Sequence, residues 1–286
     1  MEEGIINNCK KFALIGYPLG HSMSALIHKN LLEISKVKGE YIHIEVEPEH
    51  LKEEYEKKLS HLNGFNITIP HKTNIIQFLD QVSDKAKLYG SVNTVDIKNN
   101  KAVGYNTDCI GFLNSMKKEN IEFGQNVLIC GSGGVSRMFA FESLISGANV
   151  TLAVRNSSVQ SAKNIQNEVR QKLSKDCKII MLEDASDEYD LIINGTPVGM
   201  FPNVDACPIK EDVIKKAKAV FDAIYNPIET RLIKLSKKHG VRCLGGLPML
   251  VWQAAVAEEI WNGVKFQNED IDFVIDIAQK ELRKKM

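Results

Sequence analysis

The sequence predicts an α/β protein of two domains, the first built on a mainly parallel sheet and the second on a doubly wound sheet of the nucleotide-binding kind. Three observations carry this expectation. Two long stretches alternate short apolar strands with segments of helical length, the rhythm from which parallel sheets are assembled. A glycine-rich turn, Cys130–Gly134 (CGSGG), follows an apolar strand and opens a helical run. The chain has 286 residues, 44% of them hydrophobic, enough for a packed core in each of two domains.

In the first stretch, residues 11–16 (KFALIG), 40–46 (EYIHIEV), 64–69 (GFNITI) and 92–97 read as strands, and helical spacing fills 24–35, 49–60 and 73–80. The second series starts at QNVLIC (125–130). It continues through ANVTLAV, KIIML, DLIINGT, AVFDAIY and VRCLGG, with room for helices between. The tail differs. MLVWQAAVAEEIW and EDIDFVIDIAQKELRKK repeat apolar residues at spacings of three and four, which predicts two amphipathic helices. There are no internal repeats and no low-complexity segments.

Thirty-six basic residues balance thirty-six acidic ones, so no global field draws the chain to nucleic acid or to an anionic membrane. A small-molecule partner is expected. The start, MEEGIINN, is acidic and polar where a secretory signal is basic and then apolar, and no uncharged run reaches the roughly 18 apolar residues of a membrane span. A cytoplasmic location is therefore expected. The six cysteines include no CxxC pair and the seven histidines no HExxH cluster, so reduced thiols and no metal are expected.

The glycine turn places Gly131, Gly133 and Gly134 between strand and helix, where backbone N–H groups and a helix dipole can meet a pyrophosphate. By itself such a turn can be only a tight turn, and Ser136 stands where the usual fingerprint has its third glycine. About 20 residues on, an NAD site would place a carboxylate on the ribose hydroxyls. Here the strand ends Val154–Arg155. An arginine suits a 2′-phosphate, which points to NADP, the alternative being a solvated surface arginine.

The stretch Gly64–Asn74 (GFNITIPHKTN) reads as a buried strand stopped by Pro70, with Asn66 and Thr68 alternating along it and Lys72 just beyond. Ser22 and Ser24 lie in the first loop, Asn93 and Thr94 after a later turn, and Asp108 after the next. Each alone has an ordinary explanation: a cap, a turn, or a solvated charge. Grouped at strand ends, where ligands of open α/β sheets bind, they form a cage suited to a polyhydroxylated molecule. Gln253 is the one amide in the apolar run MLVWQAAVA; buried, it needs a partner, either a backbone carbonyl or a substrate hydroxyl.

These residues also carry a resemblance. Over nearly its whole length the chain resembles the shikimate dehydrogenase family, which reduces 3-dehydroshikimate to shikimate in aromatic amino-acid biosynthesis. The matching motifs are GYPLGHSMS, GFNITIPHK, GSVNT, GYNTDCIGF, GSGGVSR, NGTPVGM, FDAIYNPIET and GGLPMLVWQ, in that order. The resemblance implies a catalytic pair, Lys72 and Asp108, and substrate contacts from Ser22, Ser24, Asn66, Thr68, Lys72, Asn93, Asp108, Tyr225 and Gln253. It implies NADP held by Gly131, Ser132, Gly133, Gly134, Val135, Arg155, Thr196 and Gly246. It further implies a substrate domain over 1–107, a Rossmann-type domain over 108–245, helices at 246–286 returning to the substrate domain, and a monomer or homodimer. Lys72 would project into a cleft between the domains and give the reduced oxygen its proton or a balancing charge.

The chain departs from the family pattern at Ala25 (commonly proline), Lys29 (asparagine), Val154 (asparagine) and Pro248 (glycine). The first two bear on loop rigidity, and Pro248 fixes the backbone close to Gln253. Two alternatives use the same frame: a dual quinate/shikimate dehydrogenase and a non-catalytic ligand sensor. The intact lysine and aspartate, the balanced charge and the lack of an added DNA-binding segment count against the sensor.

Overall fold

The computed structural model describes residues 9–20 and 22–284, so the acidic start MEEGIINN lies outside the described residues. The chain divides into two compact units. The first runs to Ile110 and includes Val251–Ala278; the second is Gly111–Leu250 with the chain from Gln279. The chain passes from one to the other within helices α4 (Thr107–Lys118), α9 (Leu247–Asn262) and α10 (Asn268–Lys284).

The first unit contains β1 (Lys10–Gly16), α1 (Ser24–Ser35), β2 (Gly39–Glu45), α2 (Leu51–Lys57), β3 (Gly64–Ile67), β4 (Gln81–Val82), α3 (Asp84–Tyr89), β5 (Thr94–Lys98) and β6 (Lys101–Tyr105). Its sheet has the order β2-β1-β3-β5-β6-β4. The mainly parallel sheet is borne out, with one exception: β5 pairs antiparallel with both neighbours. The reason is a tight hairpin that periodicity alone does not reveal. Asn99 and Asn100 link β5 to β6 with φ of 52° and 58°, the left-handed pair that a two-residue hairpin turn needs and that asparagine tolerates.

Two expected helices come out differently. Residues 49–60 break into α2 flanked by 3₁₀ turns, and 73–80 hold only a 3₁₀ turn at Asn74–Phe78. That last segment fully buries only Ile75, too little of a stripe to anchor a longer helix. α9 is not amphipathic but buried nearly all round, with Val251, Gln253, Ala254, Ala255, Val256, Ala257 and Glu258 all inside. α10 does show the expected stripe, through Ile271, Val274, Ile275, Ala278 and Leu282.

Alternation on β1 supplies two cores. Ala13 and Ile15 join Phe65, Ile67, Val92 and Val95, while Phe12 faces the other way with Leu32, Ala257 and Trp261. Trp261 stacks on Phe12 at 4.6 Å and donates from Nε1 to Val95 O at 2.9 Å. Gly64 makes room for it, since a Cβ there would strike the indole. Gly64→Ala is therefore expected to destabilise the protein by roughly 1–3 kcal/mol, the usual range for overpacking. Chemical denaturation measures this, and an unchanged midpoint would show that the indole moves freely.

The second unit contains β7 (Asn126–Cys130), α5 (Gly134–Ile145), β8 (Asn149–Val154), α6 (Val159–Leu173), β9 (Cys177–Met181), β10 (Leu191–Asn194), α7 (Glu211–Ile214), β11 (Ala219–Asp222), α8 (Arg231–Lys238) and β12 (Arg242–Leu244). All six expected strands form, and every pairing is parallel in the order β12-β11-β10-β7-β8-β9. This is the doubly wound order, with β7 and β10 meeting where the winding reverses. One face packs Leu128, Ile192 and Val220; the other stacks Phe139, Phe221 and Phe112.

Among the described residues, no group of His, Cys, Asp or Glu is placed to hold a metal, and no helix is long and apolar enough to cross a membrane.

Candidate active site

In the first unit the polar residues gather at one edge of the sheet. β1, β3 and β6 reach that edge with their carboxyl ends, whereas antiparallel β5 reaches it with its start, opposite Asn66 of β3. The lysine loop is pinned on both sides. Thr68 N donates to Ile15 O (2.8 Å), Tyr17 N to Ile69 O (3.0 Å) and Val92 N to Lys72 O (2.8 Å). His71 is fully buried, its Nε2 2.6 Å from Val46 O. Backbone held this firmly leaves the Lys72 side chain little freedom of origin.

Lys72 Nζ donates to Asp108 Oδ2 at 2.6 Å, with the lysine 30% and the aspartate 21% exposed, so a ligand can reach the pair. Asp108 does not cap α4. Asn106 takes that role, its Oδ1 accepting from Cys109 N at 3.2 Å, which leaves the carboxylate in the first turn of the helix to face the lysine. The other oxygen, Oδ1, accepts from Asn93 Nδ2 at 2.8 Å. Asn93 is itself locked: Thr107 N donates to its Oδ1 (2.6 Å), and its Nδ2 is 3.0 Å from Thr107 Oγ1 and 3.5 Å from Gln253 Oε1. Asn93 thus orients the aspartate.

Asn66 is equally constrained. Its Nδ2 donates to Thr94 Oγ1 (2.9 Å) and to Asn93 O (3.2 Å), and its Oδ1 accepts from Tyr41 OH (2.8 Å). With both N–H groups engaged, what Asn66 still offers a ligand is a lone pair on Oδ1. Ser22 Oγ donates to Ser24 Oγ at 3.1 Å in the first loop, and Thr68 stands half-buried just past β3. Lys72, Asp108, Asn93, Gln253 and Asn66 are therefore joined in one hydrogen-bonded frame.

Sequence reasoning did not single out Tyr41, His28, Glu258 or Thr107. Tyr41 stacks on His28 at 3.9 Å. Burial, then the Glu258 carboxylate, hold its phenol well above the usual range, so it stays a donor toward Asn66. His28 donates from Nδ1 to Glu258 Oε1 at 2.7 Å, both side chains fully buried. A signal was present for His28, which lies on the buried stripe of α1 with Ser24, Ile27 and Leu31, whereas Glu258 sits in α9, buried nearly all round.

In the second unit, β7 ends at Cys130 and Gly131 takes φ +101°, a conformation that strains any residue with a side chain. Gly133 and Gly134 have open space where a Cβ would be, and Gly133 begins twelve-residue α5 with no side-chain cap. Unblocked N–H groups at a helix start fit a pyrophosphate. Ser136 replaces the third glycine without cost to packing, because its Oγ donates to Gly195 O at 3.2 Å, beside the spot where a Cβ on Gly195 would fall. Ser132 Oγ donates to Ser158 O at 3.2 Å, and Val135 is half-buried in the first turn. Arg155 is exposed at the end of β8 and has no ion-pair partner among the described residues, while Val154 is buried. These residues fit a dinucleotide with a free cation for a phosphate.

Thr196 follows β10, its N–H and Oγ1 both donating to Asn194 Oδ1 (3.0 and 2.7 Å). Gly246 N donates to Ile224 O at 2.9 Å, and a Cβ at 246 would strike Ala223 O. Tyr225, two residues later, is half-buried, and burial raises its phenol. Tyr225 thus belongs to the second unit, whereas the other residues expected at the substrate belong to the first.

A glycine-opened helix in a doubly wound sheet and a lysine–carboxylate pair in a polar frame define a dinucleotide-dependent oxidoreductase. A family model described as the shikimate dehydrogenase substrate binding domain matches residues 14–95. A shikimate dehydrogenase (NADP(+)) of Methanococcus maripaludis is 41% identical over 266 residues, covering 91% of this chain and 95% of its own. The chain belongs to the shikimate dehydrogenase family. A solved shikimate dehydrogenase in complex with NADP+ superposes with a TM-score of 0.87 at 37% identity, covering 94% of this chain and 95% of that one. The Thermus thermophilus enzyme, in complex with NADP(H) and shikimate, gives 0.84 at 30% identity, covering 94% and 99%.

Proposed function

We propose that this chain is an NADP-dependent enzyme that interconverts 3-dehydroshikimate and shikimate, with Lys72 and Asp108 as its catalytic pair. The observation that carries the reading is the 2.6 Å Lys72–Asp108 contact inside a fixed polar frame. When bound, NADPH supplies the hydride that the ketone carbon accepts. Lys72 then meets the negative charge on the ketone oxygen, as a proton donor from Nζ or as a balancing charge. Asp108, turned by Asn93, aims the ammonium.

The polarity of the frame supports a division of labour. Asn66, with one lone pair to spare, accepts from a ring hydroxyl; Ser22 and Ser24 serve the carboxylate; Thr68, Asn93, Gln253 and Tyr225 complete the substrate set. Gly131, Ser132, Gly133, Gly134, Val135, Thr196 and Gly246 hold the dinucleotide and Arg155 its 2′-phosphate. The first unit serves as the substrate domain and the second as the cofactor domain. On this reading the protein works in the cytoplasm, as a monomer or homodimer.

Steady-state assays with shikimate and quinate, each with NADP and NAD, test the proposal. Shikimate is expected to be much preferred to quinate, because Ser22 and Ser24 are small hydroxyls that can bind a carboxylate without crowding it. Equal kcat/KM on the two substrates would place the chain with the dual-specificity enzymes, and a chain that binds shikimate without turnover would make it a sensor.

A further inference from the structure

Asp222 ends β11 with its side chain fully buried, and among the described residues no lysine, arginine or histidine pairs with it. Three donors hold it. Asn194 Nδ2 (2.9 Å) and Ile224 N (3.1 Å) donate to Oδ1, and Thr230 Oγ1 donates to Oδ2 at 2.6 Å. Each donor controls a different piece of the sheet's carboxyl edge. Asn194 passes the restraint to Thr196, through the two bonds its Oδ1 accepts. Ile224 adjoins Tyr225, and its carbonyl in turn accepts from Gly246 N. Thr230 caps α8, accepting from Ile233 N at 3.3 Å. One carboxylate therefore ties together the three loops that carry Thr196, Tyr225 and Gly246.

We infer that Asp222, as the ionised carboxylate, is the positioning residue that sets these three loops for the cofactor, and that a neutral side chain at 222 weakens NADPH binding. The inference rests on the proposed function for the roles of Thr196 and Gly246. The chemistry is that of a donor set: Asn194 Nδ2, Ile224 N and Thr230 Oγ1 all donate to the carboxylate, and a proton on Oδ2 would make the Thr230 hydroxyl turn round and accept instead.

Burial raises this carboxyl from its ordinary value to about 6, against the pull of its three hydrogen bonds. A folded-state value above the unfolded one means that Asp222 contributes stability fully only below the unfolded value near 3.8, and loses it as pH rises through about 6. At neutral pH the charge is thus held at a cost in stability that the three hydrogen bonds partly offset. The titratable groups facing it are two thiols, Cys130 of β7 and Cys207 ahead of α7, each raised mainly by burial and further by Asp222 itself. Arg231 and Glu211, from α8 and α7, act on Cys207.

The test is Asp222→Asn, read by NADPH fluorescence titration and by thermal unfolding. At pH 7.5 the variant is expected to keep or raise its Tm while its NADPH Kd rises roughly three- to tenfold, the worth of one hydrogen bond. Toward pH 5 the ratio of variant to wild-type Kd is expected to approach one, because the wild type protonates. The ratio is the right readout, since a phosphate monoester with a second pKa near 6 changes both proteins alike. Unchanged affinity at pH 7.5, or Tm and affinity falling together, overturns the inference. A second pair guards against a folding defect: Thr230→Ser keeps the hydroxyl and is expected to bind as wild type, Thr230→Val to bind more weakly. Equal binding by those two also overturns it. A wild type that binds no NADPH overturns the proposed function as well, whereas normal wild-type binding with unaffected variants removes only Asp222.

Discussion

Lys72→Ala is expected to lower kcat on shikimate by at least about a hundredfold, the usual contribution of a positioned proton donor or charge stabiliser. The lysine backbone is fixed by the Val92 N to Lys72 O bond, and its ammonium lies 2.6 Å from Asp108. His71, one residue away, does not take over, because its Nε2 is committed to Val46 O. Asp108→Asn is expected to cost a similar factor for a different reason. Asn93 must still donate to Oδ1, so the new amide N–H₂ would occupy the Oδ2 position and confront the ammonium, donor against donor. Lys72 would then lose its aim while remaining charged. Steady-state kcat and KM with both substrates, beside a Tm for each variant, check this. Either variant retaining near wild-type kcat would remove that residue from the catalytic pair.

Arg155→Ala is expected to raise the KM for NADP about ten- to a hundredfold, because a charge-assisted contact to phosphate is worth roughly 1.5–3 kcal/mol. The KM for NAD should hardly change. Arg155 is exposed at the end of β8 without an ion-pair partner among the described residues, so its charge is available to a ligand. Buried Val154 offers no polar group beside it, and the next basic residue, Lys163, lies farther along in α6. The 2′-phosphate preference is thus expected to rest on one side chain. Measuring kcat/KM for both cofactors at fixed salt is essential, since such contacts are screened. A wild type that prefers NAD, or a variant that loses both cofactors equally, would make Arg155 structural.

The second unit was the more legible of the two. Its inner strands β7, β10 and β11 are apolar runs buried on both faces, and parallel order follows when every connection has room for a helix. The first unit was less so. β5 and β6 are joined by two asparagines, and only their left-handed backbone reveals that the chain doubles back. α9 looked amphipathic by spacing because its alanines, Gln253 and Glu258 interrupt the apolar run. In three dimensions those residues are buried too, and Glu258 meets His28 from α1.

By itself the sequence determined what is local: the strand-helix rhythm, the glycine turn that needs φ +101° at Gly131, and a lysine placed just beyond a strand stopped by proline. It also carried the motifs that mark the family. Tertiary structure alone decided which polar groups serve one another. That Asn106 and not Asp108 caps α4, that Asn93 orients Asp108, that Tyr41 consumes one side of Asn66, and that Asp222 gathers three loops are all facts of pairing between distant segments. Periodicity records which face of an element is buried. A hydrogen bond depends on which donor and acceptor meet within about 3 Å, and chain folding brings such pairs together from positions that share no local signal.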